Sequence, residues 1–410
     1  MGFSAAVSFG KILVFAKLLD PRGFGQYTLS LLWLQVASYF GTMGLSEGLS
    51  RQLPLLTGRA DMRAADRVLR GSLVLSTSVA VLAGFFTAAL ISWLARRNSA
   101  YTSLWYVGLW VAVAVPSNLL LVDLASRARS AEYAAMLLLK NVFALALGVV
   151  GIRWVGLPGA LLGEIAAALL VSFAVVALFS RSLLKPVESG WLREGWRVAT
   201  IGLPFMLSSI VLSQTLSMDR WFIQAIFDVS TLGRYAFAFL VWSAGNTVGT
   251  MLSVYLSPRV VAEYARTQDI VRVLAFVRRL TNLVLLAFAL AALPIVGALF
   301  VAIGRFYPQY HSVRWLILPA YAGTALWVAN FFGSVFVIRG EGSRLLRLSA
   351  LNAGFCLATF GVVSALGAPL YVYAVVFLIG RAQYFISTVV AAKKLVETWQ
   401  PDAHAPAAGT

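Results

Sequence analysis

Thiol and imidazole chemistry have almost no material in this chain. It holds one cysteine, Cys356, and two histidines, His311 and His404. A single cysteine excludes an intrachain disulfide, and its apolar surroundings read as a small buried hydrophobe. His311 falls in an outward loop and His404 in the tail, neither in an acid or nucleophile arrangement, so neither a catalytic dyad nor a metal site is expected. Charge is also scarce, at 12% of residues against about 25% in soluble domains. There is no glycine-rich phosphate loop with its lysine and no nucleophile elbow. These absences argue against an ATP-driven pump and against an enzyme. No cofactor is expected.

What remains is apolar. Hydrophobic residues make up 60% of the 410, more than one soluble core can hold. A helix crossing about 30 Å of hydrocarbon needs roughly 20 such residues. Twelve candidate spans follow: 3–19, 27–49, 71–94, 103–122, 134–150 and 157–180, then 198–227, 235–257, 280–303, 314–338, 348–366 and 369–392. The span 198–227 is long and holds Pro204, so a tilt, a kink or an interfacial lead-in through Trp191 and Trp196 is expected. Met1 leads almost directly into a span, with no cleavable signal pattern and no basic flank. A longer cytoplasmic start is therefore expected. The Ala- and Pro-rich tail, 395–410, is expected to be disordered.

The chain repeats itself 208 residues on. Phe15–Arg51 aligns without gaps on Ile223–Arg259 with eight identities in 37 positions, among them Asp20/Asp228, Gly25/Gly233, Tyr27/Tyr235 and Gly41-Thr42-Met43/Gly249-Thr250-Met251. Arg129 matches Arg339, and Gly156-Leu157-Pro158 matches Gly367-Ala368-Pro369. Two copies of six spans predict an all-α integral membrane protein, with lobes at 1–190 and 191–394. An even number of spans per copy puts their pseudo-twofold along the membrane normal.

Net charge is +17. The cations sit in short loops between apolar runs, which argues for topology and against nucleic-acid binding. With the N-terminus inside, 21 Lys+Arg fall on cytoplasmic connections and tail, and seven fall outside. This bias predicts that both termini are cytoplasmic.

Five cations and a few acids remain within spans, where charge is costly and marks function or pairing. Lys11 lies nine residues before Asp20, about 13 Å from the outer end of its span. Its repeat mate is Asp219, followed by Arg220. Lys11 and Arg220 are candidate cavity cations for an anionic substrate, and Asp219 a candidate ion or proton switch. Lys17, Lys140 and Arg381 join the cations and Glu164 the switches, with structural ion pairs as the alternative. Tyr235, Trp242 and Asn246 recur at helical spacing and could contact a sugar, though such stripes also serve packing. Gly44-xxx-Gly48 and Gly245-xxx-Gly249 predict close helix approach.

The stretch Asp20-Pro21-Arg22-Gly23-Phe24-Gly25-Gln26-Tyr27, preceded by Ala16-Lys17-Leu18-Leu19, resembles the first-hairpin signature of polysaccharide flippases of the Wzx type. Gly44-Leu45 and Arg51-Gln52-Leu53-Pro54 also fit. So do Met218-Asp219-Arg220, Leu232-Gly233-Arg234-Tyr235 and the stretch Pro294–Gly340. That family belongs to the superfamily of multidrug-and-toxin exporters. The resemblance implies two six-helix lobes around a V-shaped central cavity in the bacterial inner membrane. It implies alternating access, with an undecaprenyl-pyrophosphate-linked oligosaccharide moved from the cytoplasmic to the outer leaflet, membrane lipids as surroundings, and H+ or Na+ as coupling ion. It departs from the family in its short N-terminus, and it lacks the extra helix pair of several lipid II flippases.

Two other readings stay open. A drug exporter of the same fold would favour an acid-dominated cleft, whereas cations outnumber acids in these spans. A glycan polymerase or ligase would carry a large outward loop, and the outward connections here are short.

Overall fold

The computed structural model describes residues 2–58, 61–102, 104–127, 129–179, 190–249, 252, 260, 264, 269–338 and 341–397. The repeat positions Thr250, Met251, Arg259 and Arg339 lie outside the described residues, as does the tail from 398 onward. Among the described residues, every regular element is helical. In order they are α1 (Gly2–Leu18), α2 (Pro21–Thr42), α3 (Leu45–Gly58), α4 (Met62–Ala95), α5 (Tyr106–Ser126), α6 (Ser130–Val155), α7 (Leu157–Phe179), α8 (Trp191–Ile226) and α9 (Val229–Ala238), with helix again over 240–249. Then come α10 (Ile270–Phe306), α11 (Ile317–Val328, entered through the 3-10 segment Pro308–Leu316), α12 (Gly333–Ile338), α13 (Gly342–Ala365) and α14 (Leu370–Glu397).

Nine helical segments among the described residues are long and apolar enough to cross a membrane. The expected span 27–49 is two helices. Met43 and Gly44 adopt left-handed backbone, with φ of 46° and 79°, and break the chain between α2 and α3. The span expected at 198–227 is one helix starting at Trp191, so Trp191 and Trp196 belong to its first turns. At 1.5 Å per residue its 36 residues run about 54 Å, well beyond the hydrocarbon thickness. Large apolar side chains such as Phe85, Phe173 and Leu293 are exposed, while Lys11, Glu164, Asp219, Asn352 and Arg381 are buried. That inversion of a soluble protein's pattern suits a lipid exterior.

Much of the repeat signal is helix-end chemistry. Asp20 is the N-cap of α2 and accepts from the Gly23 amide at 2.6 Å. Its mate Asp228 caps α9, accepting from the Thr231 amide at 3.0 Å. Asp61 and Asp269 do the same for α4 and α10. Gly156 and Gly367 both turn the chain at positive φ, 69° and 62°, before the proline that opens the next helix. The Thr231 hydroxyl also holds the Asp228 carboxyl below its usual range. This cap therefore contributes fully above the unfolded carboxyl's pKa and is lost as pH falls through the lowered folded value.

The contacts divide the chain into two compact units. One comprises 1–240 with 302–316, the other 241–301 with 317–410. The first unit thus includes α8 and α9, the opening helices of the second repeat. In it the repeat mates Gly25 and Gly233 meet face to face. A Cβ on Gly25 would lie 1.9 Å from the Val229 carbonyl oxygen, and one on Gly233 would lie 1.9 Å from that of Pro21. Gly44 meets Gly202 of α8 equally closely, and Gly48 meets Val198. In the second unit Gly245 and Gly249 pack on Thr324 and Val328 of α11. Both small-residue motifs thus serve close helix approach. Tyr310 closes the first unit's aromatic cluster of Phe24 and Phe237, and its hydroxyl donates to the Ala16 carbonyl at 3.0 Å.

Gly25→Ala or Gly233→Ala forces α2 and α9 apart. Each is expected to lower stability by about 1–3 kcal/mol, read as a lower melting temperature of the purified protein in detergent. Melting at the wild-type temperature in both variants would show that this contact yields without strain.

Candidate functional site

The first unit holds a buried ionic centre built from four helices. Lys11 of α1 is 7% exposed, and its ammonium donates to Glu164 Oε1 of α7. The Tyr27 hydroxyl of α2 donates to the same oxygen at 3.0 Å. Lys140 of α6 lies within electrostatic reach of both Glu164 and Lys11, and donates to Asn118 Oδ1 at 3.1 Å. Local packing explains the convergence. Gly163, beside Glu164, brings α7 onto the α6 backbone, where a Cβ would sit 2.5 Å from the Gly148 nitrogen. Gly148 in turn receives the Phe15 ring, one turn beyond Lys11. The Asn141 amide donates to Ser4 Oγ at 3.0 Å, fixing α1 against α6. Lys11 is therefore not a free cation: its charge is answered within its own bundle.

Another buried carboxylate of this unit is answered differently. Asp219 of α8 is 1% exposed and accepts from the Tyr235 hydroxyl at 2.8 Å through Oδ2. Its Oδ1 has no hydrogen-bond partner among the described residues. Tyr27 and Tyr235 are repeat mates, and each donates to a buried carboxylate. In one copy the acid comes from the last helix and a lysine stands at the first-helix position. In the other the acid itself stands there. Arg220 is half-buried on the same helix. The polar face of α8 reaches α2, where Ser217 Oγ donates to Gln35 Oε1 at 3.2 Å and Trp221 packs edge-on to Trp33 at 5.5 Å.

The second unit contains a buried charge of its own. The Arg381 guanidinium lies 4.7 Å from the Phe377 ring centroid, 5.2 Å from Trp242 and 5.9 Å from Trp327. Trp327 Nε1 donates to Asn246 Oδ1 at 3.0 Å. Aromatic faces stabilise a desolvated guanidinium by about 2 kcal/mol or more in favourable cases.

The structure thus joins Lys11, Lys140 and Glu164 in one centre, and Asp219 with Tyr235 in another. Arg381, Trp242 and Asn246 form the third. Tyr235, which its spacing grouped with Trp242 and Asn246, is fully buried and belongs to the first unit, while those two belong to the second. Lys17 is exposed near the end of α1. Four participants were not singled out from sequence as site residues: Tyr27, Asn118, Trp327 and Phe377. Tyr27 was visible as a repeat identity, and Phe377 stands one turn before Arg381. Trp327 and Asn118 give no such signal. Among the described residues no cluster of His, Cys, Asp or Glu could hold a metal ion.

These features define an all-helical, multi-pass membrane protein with several charged groups buried among its helices. Its fold is that of known transporters. The chain has a TM-score of 0.71 at 14% identity with a multidrug resistance MATE family transporter of the MOP superfamily in an inward-facing conformation, covering 97% of this chain and 95% of that one. An outward-facing structure so described gives 0.65 at 14% identity, covering 97% and 93%. A MATE crystal structure with bound Br-NRF gives 0.60 at 16%, covering 97% and 93%. At these identities the likeness speaks for fold. No curated protein sequence matches the chain. The family is given by sequence: residues 2–264 match the family described as "Polysaccharide biosynthesis protein", and the chain belongs to it.

A buried ion pair stripped of one partner leaves an uncompensated charge, which costs roughly 3–5 kcal/mol. Lys11→Met is expected to destabilise by that order, and Lys11→Met with Glu164→Gln by much less. Thermal unfolding of both in detergent checks this. Equal losses would show that Lys11 and Glu164 do not stabilise one another.

Proposed function

We propose that the protein is a flippase for lipid-linked oligosaccharides. It would carry an undecaprenyl-pyrophosphate-linked glycan from the cytoplasmic to the outer leaflet of the bacterial inner membrane by alternating access, with both termini cytoplasmic. The observation that carries this reading is the buried Lys11–Glu164–Tyr27 centre in a chain of the polysaccharide biosynthesis family. A pyrophosphate crossing a membrane needs cations that it can borrow. Lys11 is available to it only when released from Glu164. A proton or sodium ion arriving at Glu164 neutralises that carboxylate and frees the ammonium for the phosphate. Departure of the anion restores the internal pair. Substrate charge and ion movement are linked by competition for one lysine.

Arg220 and Lys140 extend the cationic path, and exposed Lys17 receives the head group near the end of its span. Asp219 is the second ion or proton switch, with Tyr235 as its fixed donor. Asn246, Trp242 and Arg381 would meet the glycan, whose hydroxyls and apolar ring faces suit amide and indole surfaces. The polyprenyl tail stays in lipid throughout. A drug exporter of the same fold is the second reading, favoured by the described neighbours. It leaves unexplained why cations outnumber acids within the spans.

The test is a leaflet assay in proteoliposomes with a defined pyrophosphate-linked glycan. Wild-type protein is expected to move it well above empty vesicles, and Arg220→Ala to reduce the rate at unchanged protein level. Glu164→Gln is expected to remove the dependence on an imposed proton or sodium gradient, and Asp219→Asn to weaken it without removing it. Movement no faster than in empty vesicles under either gradient would refute the flippase. Efflux of a cationic drug by the same vesicles would favour the second reading.

A further inference from the structure

A groove in the first unit ends beside the ionic centre. It measures about 520 Å3 and lies among α3, α5 and α6. At roughly 30 Å3 per molecule it has room for ten waters or more. Its wall on α5 is one helix face, with Asn118, Val122 and Ser126. Its wall on α6 holds Tyr133 and Leu137, and the next residue on that face is Lys140. Lys140 donates to Asn118 Oδ1 at 3.1 Å, so the two walls join at the inner end. There Lys140 stands within electrostatic reach of Glu164 and Lys11. The outer end, at Ser126 and Tyr133, adjoins the α5–α6 connection.

Depth decides what fills it. At 1.5 Å per residue, Asn118 and Lys140 sit about 12 and 15 Å along their helices from that connection. Both helices are apolar enough to cross a membrane. Yet at this depth Asn118 is exposed and Lys140 half-buried. Hydrocarbon has no hydrogen bond to offer an exposed amide or an ammonium. On α3, Pro54 lacks the amide that the Ser50 carbonyl would engage in an unbroken helix. Both residues line the groove, so this wall releases a backbone acceptor as well. Water satisfies all three groups, and lipid satisfies none.

We propose that this groove is a water-filled inlet by which the coupling ion reaches Glu164 from the α5–α6 connection. The charge bias assigns that connection to the cytoplasm. Water enters past Ser126 and Tyr133 and hydrates Asn118 and Lys140. It brings the ion to the edge of the Lys11–Glu164 pair. The inference rests on the proposed function only in taking Glu164 as the coupling site. It adds the side of entry and the route.

The experiment uses the full chain with Cys356→Ser, which removes its single cysteine. Val122→Cys and Leu137→Cys each place a thiol in the groove, and Leu170→Cys places one at an exposed apolar position of α7. A charged, membrane-impermeant methanethiosulfonate is added to inverted vesicles, whose outer surface is the cytoplasmic face. Both groove thiols are expected to react at least about ten-fold faster than Leu170→Cys, because a thiol ionises in water and not in hydrocarbon. Lys140 gives a second readout that needs no groove substitution. A water-soluble acylating reagent is expected to modify it, as peptide mass spectrometry would show. Capping Val122→Cys beforehand should slow that modification. In the leaflet assay the same cap is expected to abolish stimulation by an ion gradient, and a cap on Leu170→Cys to leave it intact. The inlet is refuted by groove thiols as inert as Leu170→Cys, by labelling from the opposite face alone, or by a Lys140 that is unmodified or indifferent to the cap. Gradient stimulation that survives the cap also refutes it. Glycan movement no faster than in empty vesicles would strike the flippase instead, and the labelling would still decide the inlet.

Discussion

Charge inside a lipid-facing bundle must find its counterpart within the protein, because hydrocarbon offers none. An unpaired Lys, Arg or Asp at the centre of a span costs at least about 2.5–3.5 kcal/mol. Three buried centres show different ways of meeting this demand. Lys11 and Glu164 neutralise one another, with Tyr27 satisfying the shared oxygen. Arg381 is stabilised by aromatic faces, whose quadrupoles take up positive charge while their edges pack like any apolar ring. Asp219 receives one neutral donor, Tyr235. The glycine contacts that fasten the helices follow from the same solvent. Lipid gives helices no hydrophobic reason to associate, so backbones approach through Gly25–Gly233 and Gly44–Gly202 until dispersion suffices.

Duplication has preserved the backbone devices and let the charges diverge. Asp20 and Asp228, Asp61 and Asp269, and Gly156 and Gly367 do the same work in both copies. Every helix end needs its amides satisfied and every reversal needs its turn, whatever the bundle goes on to do. The interior faces no such common demand. A tyrosine at the same place in both copies donates to a carboxylate, but the carboxylate has moved from α7 in one to α8 in the other. The tyrosine is the fixed donor, and the acid is placed wherever a helix passes within its reach.

Local features of this chain were legible in its sequence, and partnerships across it were not. Long apolar runs gave the membrane helices, since their signal is contained within one segment. The repeat identities showed the duplication, and the structure shows that several of them are caps and turns. The break at Met43 was hidden, because a non-glycine residue in left-handed backbone carries no strong composition mark. The full reach of α8 was only partly legible, because its first turns, with Arg193, Glu194 and Arg197, are too polar for a span and left an interfacial lead-in through Trp191 and Trp196 as one of several expectations. Lys11 and Glu164 each stood out as intramembrane charges, yet 153 residues separate them and only α1 packing on α6 and α7 brings them together. Trp327 was one of 12 tryptophans until Arg381 appeared beside it.

Glu164 and Asp219 cannot be equivalent. Glu164 already has a resident cation, so an arriving ion must displace Lys11 or neutralise the acid and set the lysine loose. Its occupancy is thereby tied to any anion that Lys11 can reach. Asp219 has only a tyrosine hydroxyl, and its second oxygen has no partner among the described residues. A cation arriving at that oxygen displaces no hydrogen-bond partner among the described residues. Under the proposed function, the first site is the one at which substrate and ion compete for a shared group. The second tunes α8 and α9 without touching the substrate's phosphate. The difference follows from one residue of the repeat, lysine at position 11 and aspartate at 219.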